Sequence, residues 1–154
     1  MKTFVCIIVI GSFFTSCIAQ KNSWTGNIPI KQVEDKFSWF TSGYNEYIPD
    51  TLAITQLKDK LPAYTVLVFA GTWCGDTKEL LPQFYKSIDM AGFPREKVEL
   101  YLLDNKKESP DRKESSYEIT AIPAFILLRD GKEQGRIVES TERSIEEDVL
   151  ELIK

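Results

Sequence analysis

Val66 to Phe84 reads VLVFAGTWCGDTKELLPQF, and the order of elements in this stretch decides the fold. Val66, Leu67, Val68, Phe69 and Ala70 form an unbroken apolar run with β-branched and aromatic members, closed by Gly71, which is the pattern of a buried central strand. A small-residue turn carrying Trp73 and Cys74 follows. Beyond it, Leu80, Leu81, Phe84, Tyr85 and Ile88 recur at spacings that lay one apolar stripe along a helix. The order is strand, loop, helix, with Cys74 at the N-terminal end of the helix. Unpaired backbone N–H groups and the positive end of the helix dipole favour an anion at that place. The thiolate is such an anion, and it is the nucleophilic form of cysteine. Cys74 is therefore the candidate reactive thiol.

With those residues in view, the segment Trp73-Cys74-Gly75-Asp76-Thr77-Lys78 resembles the WCGPCK active-site segment of thioredoxins. Pro82 stands where that family has its helix-kinking proline. Tyr117 to Phe125, YEITAIPAF, resembles the family segment that ends in a cis-proline, which here is Pro123 after Ile122. A hairpin from Phe125 to Val138, turning at Asp130-Gly131, follows in the family's order. The likeness runs from Thr51 to Lys154. It implies an α/β, thioredoxin-like fold: a central mixed sheet of four or five strands flanked by helices, with an extra N-terminal helix. It also implies that Trp73, Ile122 and Pro123 support Cys74, and that Ile122-Pro123 turns backbone groups toward it; Asp76 and Thr77, beside the thiol in the same segment, complete the candidate site.

Two departures from the family pattern shape the expected chemistry. Thr77 stands where the second active-site cysteine would be, so the motif is Cys-x-x-Thr. Val68 stands where thioredoxins carry a buried Asp that assists proton transfer. A dithiol protein releases its mixed disulfide with the second cysteine, and this chain lacks that step. The expected activity is monothiol exchange: Cys74 attacks a substrate disulfide and an outside thiol resolves the product, as in isomerisation or deglutathionylation. Thr77, one turn on, is expected to offer its hydroxyl to the thiolate, while the carboxylate of Asp76 acts against the charged form. The competing reading is a thioredoxin-like module that binds an extended peptide between Trp73 and Pro123, with Cys74 as a small apolar residue. A sensor oxidised at Cys74 is a variant of the first.

Composition narrows the field. The chain has 154 residues, of which 43% are apolar and 12% aromatic, enough for one globular domain and a short appendage. A formal charge of −4 without a long basic run argues against nucleic acid as a partner. Histidine is absent, which excludes a Cys-His protease and a Cys/His zinc site. No cofactor and no metal are expected. The partners expected are a disulfide- or thiol-containing protein or a low-molecular-weight thiol.

Met1 to Ala19 reads as a secretory signal, with Lys2 as the positive start and Phe4 to Phe14 as an apolar core too short to span a bilayer. Phe14-Thr15-Ser16-Cys17 resembles a bacterial lipobox, which would make Cys17 the lipidated first residue. Cys17-Ile18-Ala19 equally fits a small-residue cleavage pattern that releases a chain starting at Gln20. Either route discards Cys6 and leaves Cys74 as the only thiol able to react. The expected setting is exported and periplasmic, with attachment to a bacterial membrane through Cys17.

Residues 20–50 are expected to be a tether and a helix, ahead of a thioredoxin-like domain over 51–154. Gln20 to Ile30 is polar and predicts little structure. Val33, Phe37, Phe40 and Tyr44, with Trp39 and Tyr47 beside them, predict one helix across Ile30 to Tyr47 that packs on the domain. Asp50 or Thr51 caps a second helix whose buried set is Leu52, Ile54, Leu57 and Leu61, ending at Pro62. Further strands are expected at Val98 to Leu103, Ala124 to Leu128 and Gly135 to Val138. A first edge strand, if present, falls at Gly43 to Ile48. Lys106 to Ser116 is expected to be a charged, solvated loop with a short helix. Ser144 and Glu147 form a capping-box pattern ahead of a last helix with Ile145, Val149, Leu152 and Ile153 inside.

Overall fold

The apolar run at the centre of the chain becomes the middle strand of a sheet that packs on both faces. In the computed structural model, which describes residues 24–153, the strands are β1 (Gly26–Asn27), β2 (Thr65–Ala70), β3 (Val98–Leu102), β4 (Ala124–Arg129) and β5 (Lys132–Val138). The helices are α1 (Ile30–Lys36), α2 (Ser38–Glu46), α3 (Thr51–Lys60), α4 (Gly75–Met90) and α5 (Ile145–Leu152). The signal segment with Cys6 and Cys17 lies outside the described residues.

The sheet order is β1-β3-β2-β4-β5. β2 runs parallel to β3, with Val68 opposite Leu100, and antiparallel to β4, with Val68 opposite Phe125. A parallel pair needs a crossover, and α4 supplies it between β2 and β3. Because side chains alternate across a strand, β2 feeds two cores. Val66, Val68 and Ala70 join Leu81, Phe84, Ile88, Leu57 and Val149 on the face covered by helices. Leu67 and Phe69 join Tyr101, Leu103, Ile122 and Ile126 on the other.

The stripe on α4 is buried as its spacing predicts: Leu80, Leu81, Phe84, Tyr85 and Ile88 are all 5% exposed or less. Phe84 rests on Phe125 of β4 with ring centroids 4.9 Å apart. Burial of one such side chain stabilises by roughly 1.5–3 kcal/mol. Pro82 lies inside α4 and faces α2. A Cβ on Gly43 would come within 2.8 Å of its ring, so the absent side chain at Gly43 lets the two helices approach.

Several expectations are corrected. Ile30 to Tyr47 forms two helices rather than one, because Phe37 is extended (φ −118°, ψ 106°). That break lets Val33 and Phe40 both enter the core, while the Phe37 ring packs edge-on against Trp24, 5.3 Å away. The sheet has five strands, and its edge strand is not Gly43–Ile48, most of which lies in α2. Gly26 and Asn27 pair antiparallel with Leu102 and Tyr101, so part of the stretch expected to carry little structure completes the sheet. In α3 the cap is Asp50, whose side chain accepts from the Ala53 N–H at 2.7 Å. Starting there, the inward face reads Ala53, Ile54, Leu57, and Leu52 is left 74% exposed.

The loop between β3 and β4 is also more than a solvated face. Glu114 is 3% exposed and accepts from both the N–H and the hydroxyl of Ser109. Arg112 pairs with it at 3.2 Å. Burial pushes the Glu114 carboxyl up, but these donors outweigh it and hold the group below its ordinary value. The anchored loop lays Tyr117 and Ile119 over the second sheet face. At the end of the chain, Ser144 accepts from the Glu147 N–H at 3.3 Å and its hydroxyl donates to the Glu147 carboxylate at 3.0 Å.

Candidate active site around Cys74

Cys74 is the N-cap of α4, with extended backbone (φ −81°, ψ 133°). Its N–H donates to the Gly71 carbonyl at 2.9 Å and its carbonyl accepts from the Lys78 N–H at 3.2 Å. The loop from β2 is thus pinned on both sides of the residue. The side chain is half-buried, and among the described residues it is the one cysteine.

Gly71 shapes the loop by what it lacks. A Cβ there would lie 2.8 Å from the indole nitrogen of Trp73 and 2.9 Å from Cδ1 of Ile122. The bare backbone lets the indole fold back, where its N–H donates to the Leu103 carbonyl at 3.0 Å. The Leu103 N–H in turn donates to the Ala70 carbonyl at 2.8 Å. Trp73 is held at one end by that bond and remains 42% exposed, next to Cys74 in the chain.

The Ile122–Pro123 bond is cis. Pro123 is buried, its carbonyl accepts from the Glu139 N–H at 2.8 Å, and Ile122 is 2% exposed. The Cys74 sulfur lies 3.6 Å from the Ile122 carbonyl oxygen and 4.0 Å from Oδ2 of Asp76. Both neighbours are acceptors for the thiol proton. Asp76 is exposed in the first turn of α4, where a carboxylate also favours helix initiation.

Thr77 is fully buried, and its hydroxyl oxygen accepts from the Gly71 N–H at 3.2 Å. The contact ties the first turn of α4 to the end of β2. Val68 is 0% exposed and sits in the apolar core. Two parts of the arrangement were not foreseen from the residues: the close approach at Gly71 and the Leu103 carbonyl that anchors Trp73. The glycine closing an apolar strand just before Trp-Cys was the available signal for the first. Among the described residues, no group of three or more His, Cys, Asp or Glu side chains is placed to hold a metal ion.

The thioredoxin family model matches residues 54–151. The chain belongs to the thioredoxin family. Within it, this thioredoxin-family chain is 27% identical over 124 residues to mitochondrial thioredoxin-3 of Saccharomyces cerevisiae, covering 80% of this chain and 90% of that protein. It is 36% identical over 98 residues to a thioredoxin of Echinococcus granulosus, covering 64% of this chain and 83% of that one. Among solved structures, the crystal structure of an HIV epitope-scaffold aligns with a TM-score of 0.50 at 19% identity, over 75% of this chain and 73% of that chain. At that identity the likeness speaks of fold alone.

Proposed function

We propose that this thioredoxin-family protein carries out thiol–disulfide exchange with Cys74 as its single nucleophile. The observation that supports this most is the placement of a half-buried, unpaired thiol at the N-cap of α4, beside the Ile122 carbonyl, with buried Thr77 in the position of a second cysteine. In the first step the Cys74 thiolate attacks one sulfur of a substrate disulfide. A bond forms from Sγ to that sulfur as the substrate S–S bond breaks, and the departing thiolate takes a proton from water. An outside thiol then attacks the mixed disulfide at the substrate sulfur and releases Cys74. One disulfide enters and one leaves, so the cycle is isomerisation or transfer, including removal of a small thiol from a protein, and not net dithiol oxidation or reduction.

The substrates this reading favours are proteins carrying disulfides or mixed disulfides, with a protein or low-molecular-weight thiol as the resolving partner. The signal-like Met1 to Ala19 supports an exported, periplasmic setting, with Cys17 as the point of lipid attachment. A second reading, a peptide-binding module, draws support from Val68, since no acidic side chain stands at that position to assist proton transfer. The two are separated by trapping. On the exchange reading, a folded full chain with Cys6→Ser and Cys17→Ser forms a mixed disulfide at Cys74 with a small disulfide and loses it to added thiol, and the further Cys74→Ser variant does neither. A folded protein that forms no adduct is a binding module.

A further inference from the structure

We infer that Asp76 makes the Cys74 site selective for disulfides flanked by cationic groups and against those flanked by carboxylates. This rests on Cys74 acting as the exchange nucleophile. Three observations carry it. The Asp76 carboxylate stands 4.0 Å from the reacting sulfur. It is exposed, so it faces whatever approaches that sulfur. Among the described residues no Lys or Arg forms an ion pair with it: the ion pairs formed are to Asp35, Glu34, Asp89, Glu108, Glu114, Glu133, Glu147 and Glu151.

A disulfide can react only by bringing one sulfur onto Sγ, which carries its substituents to within a few ångströms of this unneutralised charge. A cation, Lys107, has its ammonium tied to the carbonyl of Thr120, two residues before Ile122, at 2.7 Å. It lies against that backbone, whereas Asp76 lies against the sulfur itself. The carboxylate is therefore a charge that a small disulfide meets at the reacting sulfur. Even in water-like surroundings, a unit charge about 4 Å away alters an encounter by roughly fivefold in population. The electron count of the exchange is unchanged by this preference. What differs is the ease with which the two sulfurs meet.

Asp76 also occupies the first turn of α4, where a carboxylate stabilises the helix start, so the test needs a readout that helix stability does not move. The full chain with Cys6→Ser and Cys17→Ser is exposed to three small disulfides: cystamine, bis(hydroxyethyl) disulfide and dithiodiglycolate, which are cationic, neutral and anionic. Adduct formation at Cys74 is followed by intact mass, and each rate is divided by that of N-acetylcysteine amide with the same probe. The quotient removes the intrinsic reactivity of the probe, and comparing probes removes that of Cys74. The expected order is cationic, neutral, anionic, with a spread of about tenfold or more at low salt that shrinks toward parity in about 1 M salt. Asp76→Asn should collapse the spread to about threefold or less at low salt, and Asp76→Glu should keep most of it. A flat order in the parent, or an equally wide spread in Asp76→Asn, overturns the assignment while leaving exchange at Cys74 intact. Absence of any adduct in a folded parent overturns the exchange reading, and the selectivity with it.

Discussion

At the scale of single residues, Thr77 decides what Cys74 can do. Its side chain is fully buried and takes the Gly71 N–H, so the position is enclosed and already committed to joining helix and strand. A cysteine is close to threonine in size, and one placed there would sit one turn along α4 from Cys74. Thr77→Cys is expected to form an internal disulfide with Cys74 on oxidation and to gain net reduction of a protein disulfide. The lost hydroxyl acceptor should cost about 1 kcal/mol of stability. Mass spectrometry after mild oxidation checks the first outcome and denaturant titration of the reduced form the second. Two free thiols surviving in oxidised, folded Thr77→Cys would contradict the expected geometry. Much at this scale was legible, because Cys74, Trp73 and Pro123 sit in short motifs whose chemistry depends on local order. The partner of Thr77 was not, since only closure of the loop brings the Gly71 N–H to it.

At the scale of elements, the helices were legible where a stripe was long and obscure where one residue bends the chain. The α4 stripe continues over several turns, and its burial follows from that period. The split between α1 and α2 depends on Phe37 alone, whose ring fits the same apolar pattern in either conformation. Leu52 misleads in a related way: it is apolar, yet a helix capped by Asp50 turns Ala53 inward in its place.

Polar contacts between elements were invisible in the sequence, and two of them set testable energies. The Glu146 carboxylate, 1% exposed, accepts from the Tyr47 hydroxyl at 2.8 Å, the Asp50 N–H at 2.7 Å and the Ser87 hydroxyl at 3.0 Å. It thereby joins α5 to α4 and to the α2–α3 turn. Glu146→Ala strands the Tyr47 hydroxyl and the Asp50 N–H, while the Ser87 hydroxyl can turn to the Gln83 carbonyl at 2.9 Å; it should destabilise by roughly 2–4 kcal/mol in denaturant titration, with Glu146→Gln costing less. Asp89 on α4 takes two hydrogen bonds from Arg95 and one from the Tyr44 hydroxyl. Burial pushes its carboxyl up, but Arg95 and Tyr44 outweigh it and hold it below the ordinary value of 3.8. A depressed carboxyl contributes stability that is present above the unfolded value and lost as pH falls through the folded one. Asp89→Asn should therefore cost about 1 kcal/mol at pH 7 and lose that penalty as the pH falls through the folded value of Asp89, when measured by denaturant titration at each pH.

At the scale of the whole molecule, the family match begins at residue 54, yet the described structure does not divide there. β1 hydrogen-bonds to β3, Val33 and Phe40 are in the main core, and Trp24 and Trp39 pack against it. Unfolding of the segment ahead of α3 should therefore coincide with that of the rest. Tryptophan fluorescence, dominated by Trp24 and Trp39 in a Trp73→Phe variant, is expected to trace the same denaturant transition as far-UV circular dichroism. A fluorescence change at lower denaturant would mean that the N-terminal helices come away first. The mixed sheet was legible because a buried strand, a proline motif and a hairpin turn follow one another in a recognisable sequence. The fifth strand was not, since Gly26 and Asn27 carry no apolar alternation and pair only because β3 offers them an edge.

The central claim is that Cys74 exchanges disulfides with no internal partner, and the most direct measurement is a single-turnover trap. The full chain with Cys6→Ser and Cys17→Ser is mixed with an excess of a neutral small disulfide, the released thiol and unreacted disulfide are removed by gel filtration, and intact mass is followed before and after addition of an outside thiol. The predicted result is one adduct, mapped to Cys74, that persists until the thiol is added and then disappears with recovery of the starting mass. A folded protein that never acquires the adduct, or one that sheds it without added thiol, would contradict the account.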